Sequence, residues 1–140
     1  MYKNILLPID IAQESSWQKA LPVAIAQARS NSASLHIVAV APEAPPQLPF
    51  LPADYGSKMV SHAEAKLETI VKEHDPDDIQ CRQHVRQGSI YKEILALARE
   101  IGADLIVMAS HQPGIEDYLL GPNAARVVRH ASCSVLVVRE

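Results

Sequence analysis

No run of lysine or arginine occurs anywhere in the sequence, and the formal net charge is −3 at pH 7. A nucleic-acid groove needs a concentrated positive field to meet the phosphate backbone, so DNA or RNA binding has no electrostatic support. Long hydrophobic runs are missing as well. The opening stretch Met1-Tyr2-Lys3-Asn4-Ile5-Leu6-Leu7-Pro8 falls short of the roughly 20 apolar residues that a membrane span takes, and it is also too short for a signal peptide. Pro8 and Asp10 break it further. The expectation is a cytoplasmic chain without a membrane segment. Cysteine is scarce: Cys81 and Cys133 lie far apart, each beside an expected strand. Small thiols are commonly buried in such places, and nothing suggests an oxidising compartment, so both are expected to be reduced.

Familiar catalytic signatures are also missing. There is no Gly-x-Gly-x-x-Gly fingerprint, no phosphate-binding P-loop, no Gly-x-Ser-x-Gly elbow and no His-Glu-x-x-His helix. Lys58-Met59-Val60-Ser61 loosely resembles a synthetase loop but has no partner motif. The histidines His36, His62, His74, His84, His111 and His130 show no tight metal spacing, whereas a zinc site needs three or four convergent ligands. No metal site and no catalytic residue are expected.

What the sequence does carry is alternation. Residues 2–9 form a short apolar run suited to a buried strand. Residues 17–28 place Trp17, Ala20, Leu21, Ala24, Ile25 and Ala28 on one helical face. Ser15 or Ser16 suits the N-cap, and Pro22 calls for a kink or a late start. Residues 34–40 read as a second strand. A loop rich in proline follows, with Pro42, Pro45, Pro46, Pro49 and Pro52. Residues 56–74 form a helix with Met59, Ala63, Leu67, Ile70 and Val71 in its stripe. Residues 79–86 alternate, as in a half-buried strand. Gly88-Ser89 opens a third helix with Ile90, Ile94, Leu97, Ala98 and Ile101 inward, closed by Gly102. Residues 104–109 make a fourth strand, 123–131 a helix with Ala124, Val127, Val128 and Ala131 inward, and 134–138 a fifth strand. The order β-α-β-α-β-α-β-α-β over residues 1–140 predicts one domain with an open parallel sheet, Rossmann-like, with helices on both faces and right-handed crossovers.

Such sheets bind ligands outside the carboxyl ends of their strands, where the strand order reverses. That places a site at Pro8-Ile9-Asp10, at Val40-Ala41 and within 109–123. Asp10 reads equally as an acceptor for ribose hydroxyls and as a turn or cap residue. Gly121-Pro122-Asn123 reads as a helix start, with Gly121 as N-cap and proline at the first helical position. The free amides of Asn123 and Ala124 could face an anion, or the start could simply cap itself.

Ala109-Ser110-His111-Gln112-Pro113, Tyr118-Leu119-Leu120-Gly121-Pro122-Asn123-Ala124-Ala125 and Val128 through Val138 resemble the universal stress protein family, and most of all its F/G-type bacterial branch. The opening ILLPID and Val85-Arg86-Gln87-Gly88-Ser89 extend the likeness over essentially the whole chain. The resemblance implies a five-stranded sheet in the order 3-2-1-4-5. It also implies an adenine nucleotide, AMP or ATP with or without Mg²⁺, held at Pro8, Ile9, Asp10, Val40, Gly88, Met108, Ala109, Ser110, His111, Gln112, Gly121, Pro122 and Asn123. Adenine would lie near the ends of the first two strands, ribose at Asp10, and phosphates at the glycine loop and helix start.

This chain departs from the pattern at the phosphate end. Ala109 and Gln112 replace the two early glycines of the nucleotide-binding motif, and eight residues rather than nine separate Gln112 from Gly121; the alanine and the shorter loop are usual in the F/G-type branch. The branch usually has arginine at Gln112 and Gly-Ser at the helix start, where Pro122 now removes a backbone donor and a hydroxyl together. Residues 110–123 contain Glu116 and Asp117 but no lysine or arginine. A lost charge-assisted hydrogen bond is worth about 1.5–3 kcal/mol. Adenosine or AMP is therefore expected to bind better than the family pattern for ATP implies, and ATP only weakly unless Mg²⁺ offsets the acidic pair.

Ser110-His111 is not read as a nucleophile and base, because adjacent side chains rarely face each other. His111 is expected to stabilise the loop or stack on the ligand. Any ATP hydrolysis or self-phosphorylation would be slow. The resemblance also implies a homodimer through the apolar fifth-strand edge and protein partners whose identity stays open. The rival reading is a nucleotide-free dimeric scaffold. A nucleotidyl-transferring or hydrolysing enzyme rests on fold analogy alone.

Overall fold

The computed structural model describes residues 1–41, 51–74, 76–110 and 122–139. The expected loop at 42–50 and most of the candidate phosphate loop (111–121, with His111, Gln112, Glu116, Asp117 and Gly121) lie outside the described residues.

The strands β1 (Asn4–Ile9), β2 (Ser34–Ala41), β3 (Cys81–Gln87), β4 (Leu105–Ser110) and β5 (Ser134–Arg139) alternate with α1 (Ala20–Asn31), α2 (Tyr55–His74), α3 (Ile90–Ile101) and α4 (Pro122–His130). The five strands are parallel and ordered β3-β2-β1-β4-β5. Period-two side chains divide the core between the two sheet faces. Ile5, Leu7 and Ile9 of β1 pack with α1 and α2, joined by Leu35, Ile37, Leu67 and Ile70. Leu6 of β1 packs the other way, with Val38, Ile94, Leu97, Ile106 and Val127 against α3 and α4. The central strands are therefore apolar on both faces, which is why they read as continuous runs rather than alternating ones.

Pro22 is accommodated by a late helix start. α1 begins at Ala20, so Pro22 is its third residue, where the helix needs no N–H donor in any case. The expected serine cap is not formed. Ser16 ends a 3₁₀ turn over Glu14–Ser16, and its hydroxyl is engaged with the end of β1, as described below. Two residues expected to point inward do not. Ile90 is 42% exposed and Val128 44% exposed. Ile90 begins α3 at its free end, and Val128 lies beside the buried stripe that Ala124 and Val127 occupy. Gly102 ends α3 in the left-handed conformation, with φ 65°.

β3 is half-buried, with Ile79, Cys81 and Val85 packed on the α1/α2 side. Its opposite face holds a histidine pair. Nδ1 of the buried His36 lies 2.9 Å from Nε2 of His84, and the rings stack with centroids 5.1 Å apart. Burial pushes both imidazoles below the ordinary histidine value; His84 and Arg82 push His36 the same way, as Arg86 and Arg82 do His84, against a smaller opposing pull from Glu100. Both cysteines are free and partly buried, and burial raises both thiols.

Candidate functional site

The site originates in an interruption of the sheet. β1 and β2 stay in register from Asn4↔Ser34 to Ile9↔Ala39, and β4 and β5 stay paired as far as Ser110↔Arg139. Between β1 and β4 the pairing covers only Ile5↔Leu105 and Leu6↔Ile106. Pro8 brings no N–H to a ladder, and beyond Leu6 the two central strands are no longer paired. This is also where the strand order reverses, because β1 leads through α1 to one side of the sheet and β4 lies on the other. A cavity of about 780 Å³ opens there. Ligand clefts commonly run from about 300 to 1,000 Å³, so it is large enough for a mononucleotide.

Of the residues singled out from sequence, Pro8, Ile9, Asp10, Val40, Met108, Ala109, Pro122 and Asn123 all line this cavity. Gly88 and Ser110 do not line it. Gly88 serves the β3–α3 turn: its φ is +141°, and its N–H donates to the Ala41 carbonyl at 3.1 Å. Ser110 ends β4 opposite Arg139 of β5. His111, Gln112 and Gly121 lie outside the described residues.

Asp10 turns out to be both a turn residue and a cavity residue. Its Oδ1 accepts the Ala12 N–H at 2.9 Å, the Asx turn that short acids make at strand ends. Its own N–H donates to Ser16 Oγ at 2.8 Å, and the Ser16 hydroxyl lies 2.9 Å from the Asp10 carbonyl and 2.7 Å from that of Gln13. The Ala12 N–H thus holds the carboxylate by Oδ1, and Ser16 holds the Asp10 backbone, at the mouth of the cavity. Its second oxygen, Oδ2, makes no hydrogen bond among the described residues, so an acceptor is left for a ligand.

The walls are mostly apolar. Ile9, Ala39, Val40 and Met108 come from strand ends, and Ile90 and Ile94 from the first turns of α3. The partial exposure of Ile90 is explained here, since it forms part of the rim. At α4, Pro122 is the first helical residue, so the helix start presents the amides of Asn123 and Ala124 without one from residue 122.

Sequence reasoning missed the α2 wall. Met59, His62, Ala63 and Lys66 line the cavity on that side. Their spacing of three, one and three residues puts them on one helical face, adjoining the stripe that was legible as core. The signal was present, but His62 and Lys66 look like solvent-facing residues until the helix is placed over the strand ends.

An open parallel α/β sheet with its cavity at the strand-order reversal defines a class of small-ligand-binding domains. Residues 1–139 match the model of the universal stress protein family. Universal stress protein G of Shigella flexneri is 38% identical over 143 aligned residues, which cover 99% of this chain and 100% of that relative. The chain belongs to the universal stress protein family and sits with its F/G-type bacterial branch. Among solved structures, a universal stress protein in complex with cAMP superposes with a TM-score of 0.64 at 23% identity, over 99% of this chain and 97% of that one. A family member from Arabidopsis thaliana with AMP bound superposes with a TM-score of 0.66 at 16% identity, over 99% and 92%. These two likenesses establish the shared fold.

Proposed function

We propose that this chain binds an adenine nucleotide in the cavity between β1 and β4 and acts in a stress response by passing its nucleotide state to protein partners. The observation that carries the reading is the held Asp10 carboxylate, with Oδ2 left available beside apolar walls of mononucleotide size. In this reading the base packs among Ile9, Val40 and Met108, and the ribose hydroxyls donate to Asp10. The phosphate lies toward Asn123 and the segment with His111, Gln112 and Gly121. That family members have been crystallised with AMP and with cAMP supports the ligand class.

The α4 start presents neither a hydroxyl nor an N–H at Pro122, so AMP is held at least as well as ATP in the absence of Mg²⁺. Calorimetric titration of nucleotide-stripped protein with AMP and ATP, each with and without Mg²⁺, tests this. Tighter binding of ATP than AMP in magnesium-free buffer refutes the weakened phosphate end. No binding of either nucleotide at millimolar concentration refutes the nucleotide reading and favours the second one, a nucleotide-free dimeric scaffold. The edge strand β5 favours that alternative: Val135, Leu136, Val137 and Val138 are all only partly buried, and an apolar edge of that kind invites pairing with a second copy.

A further inference from the structure

We infer that Lys66 of α2 supplies the cation that meets the phosphate of the bound nucleotide, replacing the charge that the α4 end lacks; this rests on the nucleotide reading above. The cavity's charge is sparse. Among the described lining residues Asp10 is the carboxylate, Lys66 the ammonium, and His62 the remaining titratable side chain. The sequence between Ser110 and Asn123 contains no lysine or arginine, and its charged residues are Glu116 and Asp117. A dianionic phosphate entering the cavity therefore has one described ammonium to approach.

The placement of Lys66 on α2 sets it apart from its neighbours. Lys58 pairs with Asp54 at 3.2 Å and Lys72 with Glu68 at 2.9 Å, each along the helix at i, i+4. Four residues before Lys66 stands His62, and four after it stands Ile70; three before and three after stand Ala63 and Thr69. None is acidic, so the local pairing that engages the other two lysines is not open to Lys66, and it has no ion pair among the described residues. Its face of the helix, shared with Met59, His62 and Ala63, is the one turned to the cavity. A flexible four-carbon stem carries an ammonium with three donors, which suits a phosphate that, among the described residues, is otherwise faced by uncharged groups and the backbone amides at the start of α4.

The test compares ligands that differ only in the charged group. Wild-type protein is titrated with adenosine and with AMP, and the same is done for Lys66→Gln, Lys66→Arg and Lys72→Gln. Lys72 lies outside the cavity and serves as the control. Lys66 is exposed, so its attraction is partly screened. The expected preference for AMP over adenosine is about three- to tenfold, the range between an exposed ion pair and a charge-assisted hydrogen bond. Lys66→Gln removes that preference and leaves adenosine affinity unchanged, Lys66→Arg retains most of it, and Lys72→Gln changes neither. Raising the salt to about 0.5 M shrinks the wild-type preference by screening.

An AMP preference that survives in Lys66→Gln overturns the inference. So does wild-type protein that binds adenosine and AMP equally. Both outcomes leave the nucleotide reading standing, since adenosine still binds. Failure of wild type to bind either ligand at millimolar concentration overturns the reading and the inference together.

Discussion

Replacing Asp10 with asparagine separates its two roles. In the folded chain Oδ1 accepts the Ala12 N–H at 2.9 Å, while Oδ2 is unengaged by any described residue. Asparagine keeps an acceptor at Oδ1, so the Asx turn and the Ser16 contacts to the Asp10 backbone persist, and stability should hardly change. What is lost is the charge and the acceptor at the second position, where the amide Nδ2 can only donate, to a ribose hydroxyl oxygen. Hydrogen bonds to charged groups contribute about 1.5–3 kcal/mol and neutral ones about 0.5–1.5. The difference of about 1–1.5 kcal/mol weakens binding about five- to twelvefold.

Alanine removes both roles. AMP affinity should then fall about ten- to a hundredfold. The orphaned Ala12 amide should cost only about 0.5–1 kcal/mol of stability, because Ala12 is exposed and water can replace the carboxylate. Calorimetry with AMP and with 2′,3′-dideoxy-AMP provides the check. The penalty of Asp10→Asn should be large for AMP and nearly absent for the ligand without ribose hydroxyls. An equal penalty for both ligands, or none for AMP, refutes the assignment of Asp10 to the ribose.

Three further outcomes follow from the fold. The imidazoles of His36 and His84 lie below the ordinary histidine value, chiefly because they are buried. The unfolded chain therefore takes up protons first as pH falls below about 6.5, and stability that is present above that value declines toward the lowered folded values. Urea midpoints of wild type should drop between pH 7.5 and 5.5 by more than those of a His36→Leu/His84→Leu variant; equal drops contradict the linkage. Gly88→Ala places an L-residue at φ +141° with its Cβ 3.3 Å from Glu93 Cγ. It should cost about 1–3 kcal/mol, and an unchanged urea midpoint contradicts that. If the β5 edge forms the proposed homodimer, Val137→Lys should give a monomer by light scattering; a wild-type monomer at micromolar concentration rules the dimer out.

The architecture was legible because each β-α unit has its own periodicity. The apolar runs at residues 2–9, 34–40 and 104–109 are short enough to suit strands buried on both faces, and strand order followed once the family likeness was clear. The cavity was legible wherever it is built from strand ends, at Pro8, Ile9, Asp10, Val40 and Met108. It was not legible at α2, because His62 and Lys66 are exposed polar residues on an outwardly ordinary helix, and only the placement of that helix beside the strand ends brings them to the cavity wall. Ile90 was misplaced for a related reason: a helical stripe says which side of a helix is apolar, but not that its first turn projects past the core to a rim. Gly88 belongs to the motif by position, but the structure puts it in a turn whose backbone geometry already accounts for a glycine.

The most direct test of nucleotide binding in the β1/β4 cavity is an amide NMR titration of the isotopically labelled protein with AMP. Saturable shifts concentrated at Ile9, Asp10, Ile11, Val40, Met108 and Asn123, with the β3 residues Arg82 and Gln83 unmoved, are the predicted result. No saturable shifts at millimolar AMP, or shifts confined to surfaces away from these strand ends, would contradict it.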